Sequence, residues 1–186
     1  MTETTDRIGA MPAAVRDFIL HWGDMGQQWG VNRSIAQIHA LLYISEPPLP
    51  AERISETLGI ARSNVSNSLK ELIGFGIVRR VPISGDRRDH FTAETDVWEL
   101  ARRIAAARKI REIDPALRTL TACLADAEGD DRVTDEQRRR LQEMHAFTAD
   151  MDRWYAQMQG LPVKTLTRLV RLGDRIVALL GLGKSD

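Results

Sequence analysis

The sequence predicts a mainly α-helical chain that carries one small β-hairpin, and three observations lead there. Apolar residues recur at three- and four-residue steps through most of the 186 residues. One stretch, from Ile77 to Ala93, instead reads as two short strands around a turn supplied by Gly85 and Asp86. Between the periodic segments stand helix-stopping groups, "SEPPLP", "LGI", "GFG" and "AEGDD", at distances that suit ordinary helices.

The first helix is expected from Met11 to about Gln28, where Val15, Phe18, Ile19, Trp22 and Met25 share a face, with Gly23, Gly26 and Gly30 weakening its end. A second should run from about Arg33 to Ile44, carrying Ile35, Ile38, Leu41 and Leu42 inward. "SEPPLP" stops it, because proline lacks an N–H and restricts the residue before it. The formal PxxP from Pro47 to Pro50 reads better as this terminator, followed by a proline-led helix start, than as an adaptor ligand. A short helix from Pro50 to about Leu58 then ends at Gly59, which suits positive φ. Another starts near Ala61, with Val65, Leu69, Leu72 and Ile73 as its apolar stripe, and stops at Gly74 and Gly76. The hairpin follows, with strands at Ile77 to Val81 and about Asp89 to Ala93. Helix, tight turn, helix and hairpin is the order of a winged helix-turn-helix.

Beyond the hairpin only helices are expected. Val97 to Ile113 carries Val97, Leu100, Ile104 and Ala107 at core spacing; Asp114-Pro115 marks a break, and Leu117 to Ala127 follows. Thr134 with Gln137 three residues on is a capping-box pattern for the next helix. There Leu141, Met144, Thr148, Met151, Tyr155 and Met158 alternate steps of three and four, the seam of a coiled coil, imperfect at Thr148. The last helix, with Val163, Leu166, Leu169, Val170, Ile176, Val177 and Leu180, is too apolar to stand alone in water.

Composition bounds the function. The formal net charge is zero, so global charge advertises no nucleic-acid partner. Its distribution says more: from Arg62 to His90, Arg62, Lys70, Arg79, Arg80, Arg87 and Arg88 outnumber Glu71, Asp86 and Asp89, while Asp126, Glu128, Asp130, Asp131, Asp135 and Glu136 form an acidic connector elsewhere. No apolar run approaches the roughly 18 residues that would cross a bilayer, and "MTETTDRIGAM" lacks the layout of a signal peptide, so a cytoplasmic protein with no membrane partner is expected. Cys123 has no partner for a disulfide and reads as a small buried hydrophobe among Leu120 and Leu124. His21, His39, His90 and His145 lie in different elements without paired ligand spacing, so neither a metal nor a cofactor is expected. No phosphate loop, nucleophile elbow or catalytic carboxylate pair appears, which argues against an enzyme.

What remains is the start of the Ala61 to Gly74 helix. Arg62, Asn64 and Asn67 have the side chains that contact guanine or adenine bidentately; Ser63 and Ser66 permit close approach and contact phosphate or base; Lys70 points at the backbone. Arg87 and Arg88 beside the hairpin tip make a basic wing. Capping preference would explain one such polar residue but not four. Double-stranded DNA is the expected partner. The competing class is a protein-interaction module that uses a winged helix as a docking surface.

The run from Val31 to Leu100 resembles the MarR-type winged-helix transcriptional regulators, and within them the GbsR-like subgroup, through the Arg33 to Ile44 helix, "LGIARSNVSNSLKEL", "GDRRDHF" and the tryptophan of "DVWEL". The resemblance implies a homodimer on pseudo-palindromic operators, repressing or activating nearby genes in response to a small effector. On that reading residues 1–30 serve dimerisation, 31–95 bind DNA, and 96–186 form a dimerisation and effector region. Leu141, Met144, Met151, Tyr155, Met158, Leu166, Leu169 and Ile176 are the expected dimer contacts. The subgroup is similar to sensors of choline or betaine, and Trp98 and Trp154 are candidates for an aromatic effector site, although Trp22, Trp29, Trp98, Trp154 and Tyr155 otherwise read mostly as core. One position departs from the pattern. A serine commonly begins the recognition helix, whereas Ala61 stands here, and a poor N-cap costs about 1 kcal/mol. Compensation by Ser63 or Asn64, or a start shifted by one residue, are the alternatives.

Overall fold

The computed structural model describes residues 11–173. The chain divides into two compact units between Leu100 and Ala101. The first unit holds α1 (Ala13–Gln28), α2 (Arg33–Ile44), β1 (Leu49–Pro50), α3 (Ala51–Leu58), α4 (Arg62–Gly74), β2 (Val78–Ile83), β3 (Asp86–Ala93) and the opening turn of α5 (Val97–Arg108). The second contains the rest of α5, a π-helical turn (Lys109–Ile113), α6 (Asp114–Glu128), α7 (Asp135–Gln159) and α8 (Val163–Arg171). The molecule is thus mainly helical with a small antiparallel sheet and long helices.

Nearly all fully buried apolar side chains belong to the first unit. α2 is its axis: Ile35, Ala36, Ile38, His39, Ala40, Leu41 and Leu42 are all buried, and α1 and α4 pack on it. Asn32 caps it, accepting a hydrogen bond from the Ser34 N–H at 2.9 Å. Ile54 of α3 and Val65, Leu69 and Leu72 of α4 complete the core. α1 runs straight through Gly23 and Gly26, which the sequence reading expected to weaken it. The reason is proximity: a Cβ at Gly26 would lie 2.5 Å from the Cβ of Ala36, so only glycine lets α1 approach α2 this closely. At the same interface the rings of Phe18, Trp22, His39 and Tyr43 adjoin with centroids 5.6 to 6.3 Å apart. Burial holds the His39 imidazole down to about 4, hence neutral.

Between α3 and α4, Gly59 adopts φ 64°, the expected left-handed C-cap. α4 begins at Arg62 with Ala61 as its N-cap residue, and no side chain caps it. The wing is a three-stranded sheet in the order β1-β3-β2. β1 is an addition to the sequence reading, which expects "SEPPLP" to stop one helix and start the next at Pro50: Leu49 pairs with Phe91 and Pro50 with His90, and the helix begins at Ala51. A two-residue strand shows no alternation to read, and proline is tolerated on a sheet edge that needs no donor. Between β2 and β3, Gly85 at φ 82° closes the hairpin, and the register shifts between Val81 and Ile83, across Pro82.

In the second unit the expected break at Asp114-Pro115 is absent. The chain stays helical through the π turn into α6, with Pro115 in the first turn of that helix. The wider π turn accommodates a residue that has no N–H to give the turn before it. Lys109 pins this turn, its Nζ 2.6 Å from both Asp114 and Asp152. The Thr134 and Gln137 capping box is present in full at the start of α7. Cys123 is exposed, contrary to the buried reading, because it lies one step outside the inward row Leu117, Leu120, Leu124 and Ala127 of α6. Trp29 and Trp154, taken as core candidates, are also exposed, at 63% and 50%.

Candidate nucleic-acid interface

α4 buries Val65, Ser68, Leu69 and Leu72, so its opposite face points outward. Helical spacing puts Ser63, Ser66, Asn67 and Lys70 on that face, with Arg62 at the helix start. All five are exposed and have no polar partner among the described residues. This is the property a reading face requires: donors and acceptors held on a rigid helix and not consumed inside the protein.

Two predicted DNA contacts are placed differently. Asn64 is exposed, but its Nδ2 donates to Ser34 Oγ at 3.2 Å, and its Oδ1 accepts from Ser68 Oγ at 3.3 Å. In the wing, Arg88 folds back on Asp86, with Nε 3.0 Å from both carboxylate oxygens and Nη2 2.5 Å from Oδ2. The hydrogen bonds from Arg88 hold the Asp86 carboxyl well below the usual carboxylate range and raise the guanidinium in turn. Arg87, by contrast, is exposed with no partner among the described residues. A cleft of about 280 Å³ lies between α4, the start of α3 and the wing, lined among others by Lys70, Arg80, Arg88, Glu52 and Phe91. Arg80, paired with Asp89 at 3.4 Å, was counted in the basic segment but not singled out from the sequence; its place in this cleft comes only from the hairpin register.

The apolar stripe of α7 divides into two. One face turns toward α6 and the turn before it: Thr148 is buried, His145 Nε2 meets Thr121 Oγ1 at 3.1 Å, Asp152 binds Lys109, and Gln159 bonds to Arg102. Leu141 and Tyr155 are half-buried at the spacing of this face. The other row is Met144, Phe147, Met151, Trp154 and Met158, again at alternating steps of three and four. Met144, Phe147 and Trp154 are at least half exposed. The residues expected at the dimer contact therefore divide between the two faces, Leu141 and Tyr155 on the first and Met144, Met151 and Met158 on the second. On α8, Leu166 is half-buried, while Leu169 and Val170 are exposed; Ile176 lies outside the described residues. Trp98 is half-buried in the first turn of α5, its N–H bonded to Asp96 Oδ1, and belongs to the first unit. Trp154 stands edge-on to Tyr155 at 5.4 Å in the second.

Comparison with known proteins finds relatives for this part of the chain. Residues 29–89 match the MarR family. The MarR-like segment runs from the end of α1 through α2, α3 and α4 into the wing, so it contains the exposed face of α4 and the basic hairpin. Over a longer span the chain is 24% identical to the HTH-type transcriptional regulator MmpR5 of Mycobacterium tuberculosis, covering 82% of this chain and 88% of that one. It is 22% identical to the HTH-type transcriptional repressor OpcR of Bacillus subtilis over 38% of each chain. A crystal structure of a transcriptional regulator superposes with a TM-score of 0.63 at 20% identity, covering 79% of this chain and 96% of the other. That likeness concerns the fold, and it extends past the MarR-like segment into the helices that follow.

Proposed function

We propose that this chain is a sequence-specific DNA-binding transcriptional regulator of the MarR type, acting as a homodimer on a pseudo-palindromic operator. The observation that carries the reading is the outward face of α4, where Arg62, Ser63, Ser66, Asn67 and Lys70 have no polar partner among the described residues and stand beside a wing that offers Arg87. In this arrangement the helix enters the major groove, the two residues able to make bidentate contacts meet base edges, and Lys70 and Arg87 meet the backbone. Residues 31–95 form the DNA-binding domain. We assign dimerisation to residues 1–30 and to the region 96–186, chiefly through the exposed row of α7 and through Leu166 and Leu169 of α8. Two copies would present their α4 helices to successive major grooves, with half-site centres about 34–36 Å apart.

Repression is the favoured direction, in keeping with the repressor named among the relatives. The "GDRRDHF" wing and "DVWEL" support placement in the GbsR-like subgroup. A small quaternary ammonium compound is the proposed effector, and Trp98 of the first unit and Trp154 of the second are separate candidate contacts, each through cation–π attraction. Such a ligand switches the protein if it binds one spacing of the two reading heads better than another. No helix among the described residues is long and apolar enough to cross a membrane, which fits a reading in the cytoplasm.

The test is binding to DNA from upstream of the gene against random DNA over a range of salt. Affinity is expected to fall steeply with salt and to favour the upstream site by roughly a thousandfold or more. Equal binding to both at every salt concentration sinks the proposal and leaves the winged helix as a protein-docking surface.

A further inference from the structure

We propose that Asn64 is a positioning residue, the strut that fixes the opening turn of α4 against α2, and that base reading falls to Arg62, Ser63, Ser66 and Asn67. The inference rests on the reading of α4 as the helix that enters DNA. Asparagine recognises adenine by using both ends of its amide at once, one donating and one accepting. In Asn64 one Nδ2 hydrogen is donated to Ser34 Oγ at 3.2 Å and one Oδ1 lone pair accepts from Ser68 Oγ at 3.3 Å, so the plane of the amide is set by α2 and the buried flank of α4 instead of being left to turn toward a base. Both partners are anchored. Ser34 sits at the start of α2, where its own N–H is held by the N-cap Asn32 at 2.9 Å. Ser68 is only 1% exposed, so its hydroxyl has no water to turn to.

Helical geometry supports the same division of labour. Ser63, Ser66, Asn67 and Lys70 fall at steps of three, one and three along the outward face, whereas Asn64 lies one turn before buried Ser68, on the flank toward α2. The start of α4 also has a use for such a strut. Ala61 offers no side-chain cap, so the first N–H groups of the helix get no hydrogen bond from the side chain before them. The Asn64 to Ser34 bond holds this turn from the side, and the angle at which Arg62 and Ser63 are presented depends on it.

The experiment compares Asn64→Ala, Ser34→Ala, the double variant and Asn67→Ala in full-length protein. Each variant selects sites from a randomised duplex library, and its affinity for the wild-type consensus is measured. If Asn64 is a strut, Asn64→Ala and Ser34→Ala each weaken binding about three- to tenfold on every sequence and leave the consensus unchanged. The double variant is then no weaker than either single one. Ser34→Thr, which keeps the hydroxyl, restores binding, and Asn67→Ala changes the consensus at one position. A consensus altered by Asn64→Ala but not by Ser34→Ala overturns the proposal. A second readout needs no DNA: the Asn64 side-chain amide resonances are expected to shift and to exchange faster with water in Ser34→Ala. Unchanged resonances overturn the strut even if the wild type selects no sequence, an outcome that would itself refute the regulator reading.

Discussion

Single residues differ here chiefly in whether their polar atoms are already spent. Arg87 and Arg88 are neighbours of one chemistry, yet of the two only Arg88 is held by Asp86. Arg87→Ala is therefore expected to weaken binding to all DNA similarly and to lower the salt slope by about one, measured from affinity against salt concentration. His39 makes a different kind of statement. Its pKa is lowered to about 4 by burial against an ordinary value of 6.5, so between those values the unfolded chain takes up the proton more readily. Stability is then full above about pH 6.5, declines as pH falls, and levels off below about 4, for a loss of up to about 3 kcal/mol. Replacing His39 by Phe, which suits the ring cluster and removes a buried Nε2 that has no partner among the described residues, should flatten this decline. Urea unfolding of both proteins at pH 7 and pH 5 checks it; an equally steep loss in the variant would reject His39 as the cause.

Elements show where patterns suffice and where they do not. The apolar periodicity of Ile35, Ile38, Leu41 and Leu42 placed α2 at its observed bounds, and Thr134 with Gln137 located the start of α7, because in both cases a local rule matches the local structure. The reading failed where a distant neighbour decides. Gly26 looks like a weak helical residue until Ala36 is seen against it. The π turn is invisible because Asp114-Pro115 is equally a break signal. The stripe of α7 fits two registers that share Met144, Met151 and Met158, and only packing against α6 separates Leu141, Thr148 and Tyr155 from Phe147 and Trp154. In the candidate site, residue types were legible but their engagement was not, since Ser34 lies thirty residues before Asn64. Two substitutions weigh these effects. Gly26→Ala gains about 1 kcal/mol of helix propensity but crowds a well-packed contact at a cost of about 1–3 kcal/mol, so a lower melting temperature is expected. Gly23→Ala meets only the Gln37 side chain and should lower it less. Ala61→Ser supplies the missing cap of α4 and is expected to stabilise by about 1 kcal/mol, seen as a rise in the denaturation midpoint.

At the scale of the whole molecule, the two units contrast in how completely they bury themselves. The first holds a core from Ile19 to Leu100, whereas among the described residues of the second only Ala127 and Thr148 are buried. A unit so thinly cored, with Met144, Phe147 and Trp154 exposed along one helix, is the part expected to be completed by a second copy. Phe147→Glu combined with Trp154→Glu is expected to give a monomer by sedimentation at micromolar concentration, with weakened operator binding. A dimer that persists would move the contact elsewhere. The π turn at Lys109–Ile113 bears on how this unit could change over evolution. A π turn is what a helix makes of one inserted residue, and deleting a residue there would return it to ordinary winding. Because the wide turn absorbs the extra residue, the side chains downstream would keep their facing, with Leu117, Leu120, Leu124 and Ala127 still toward α7, whereas the same deletion in a straight α-helix would rotate them by about 100°. Loss of one residue is therefore expected to be tolerated better in this turn than elsewhere in these helices, provided Lys109 still meets Asp114 and Asp152.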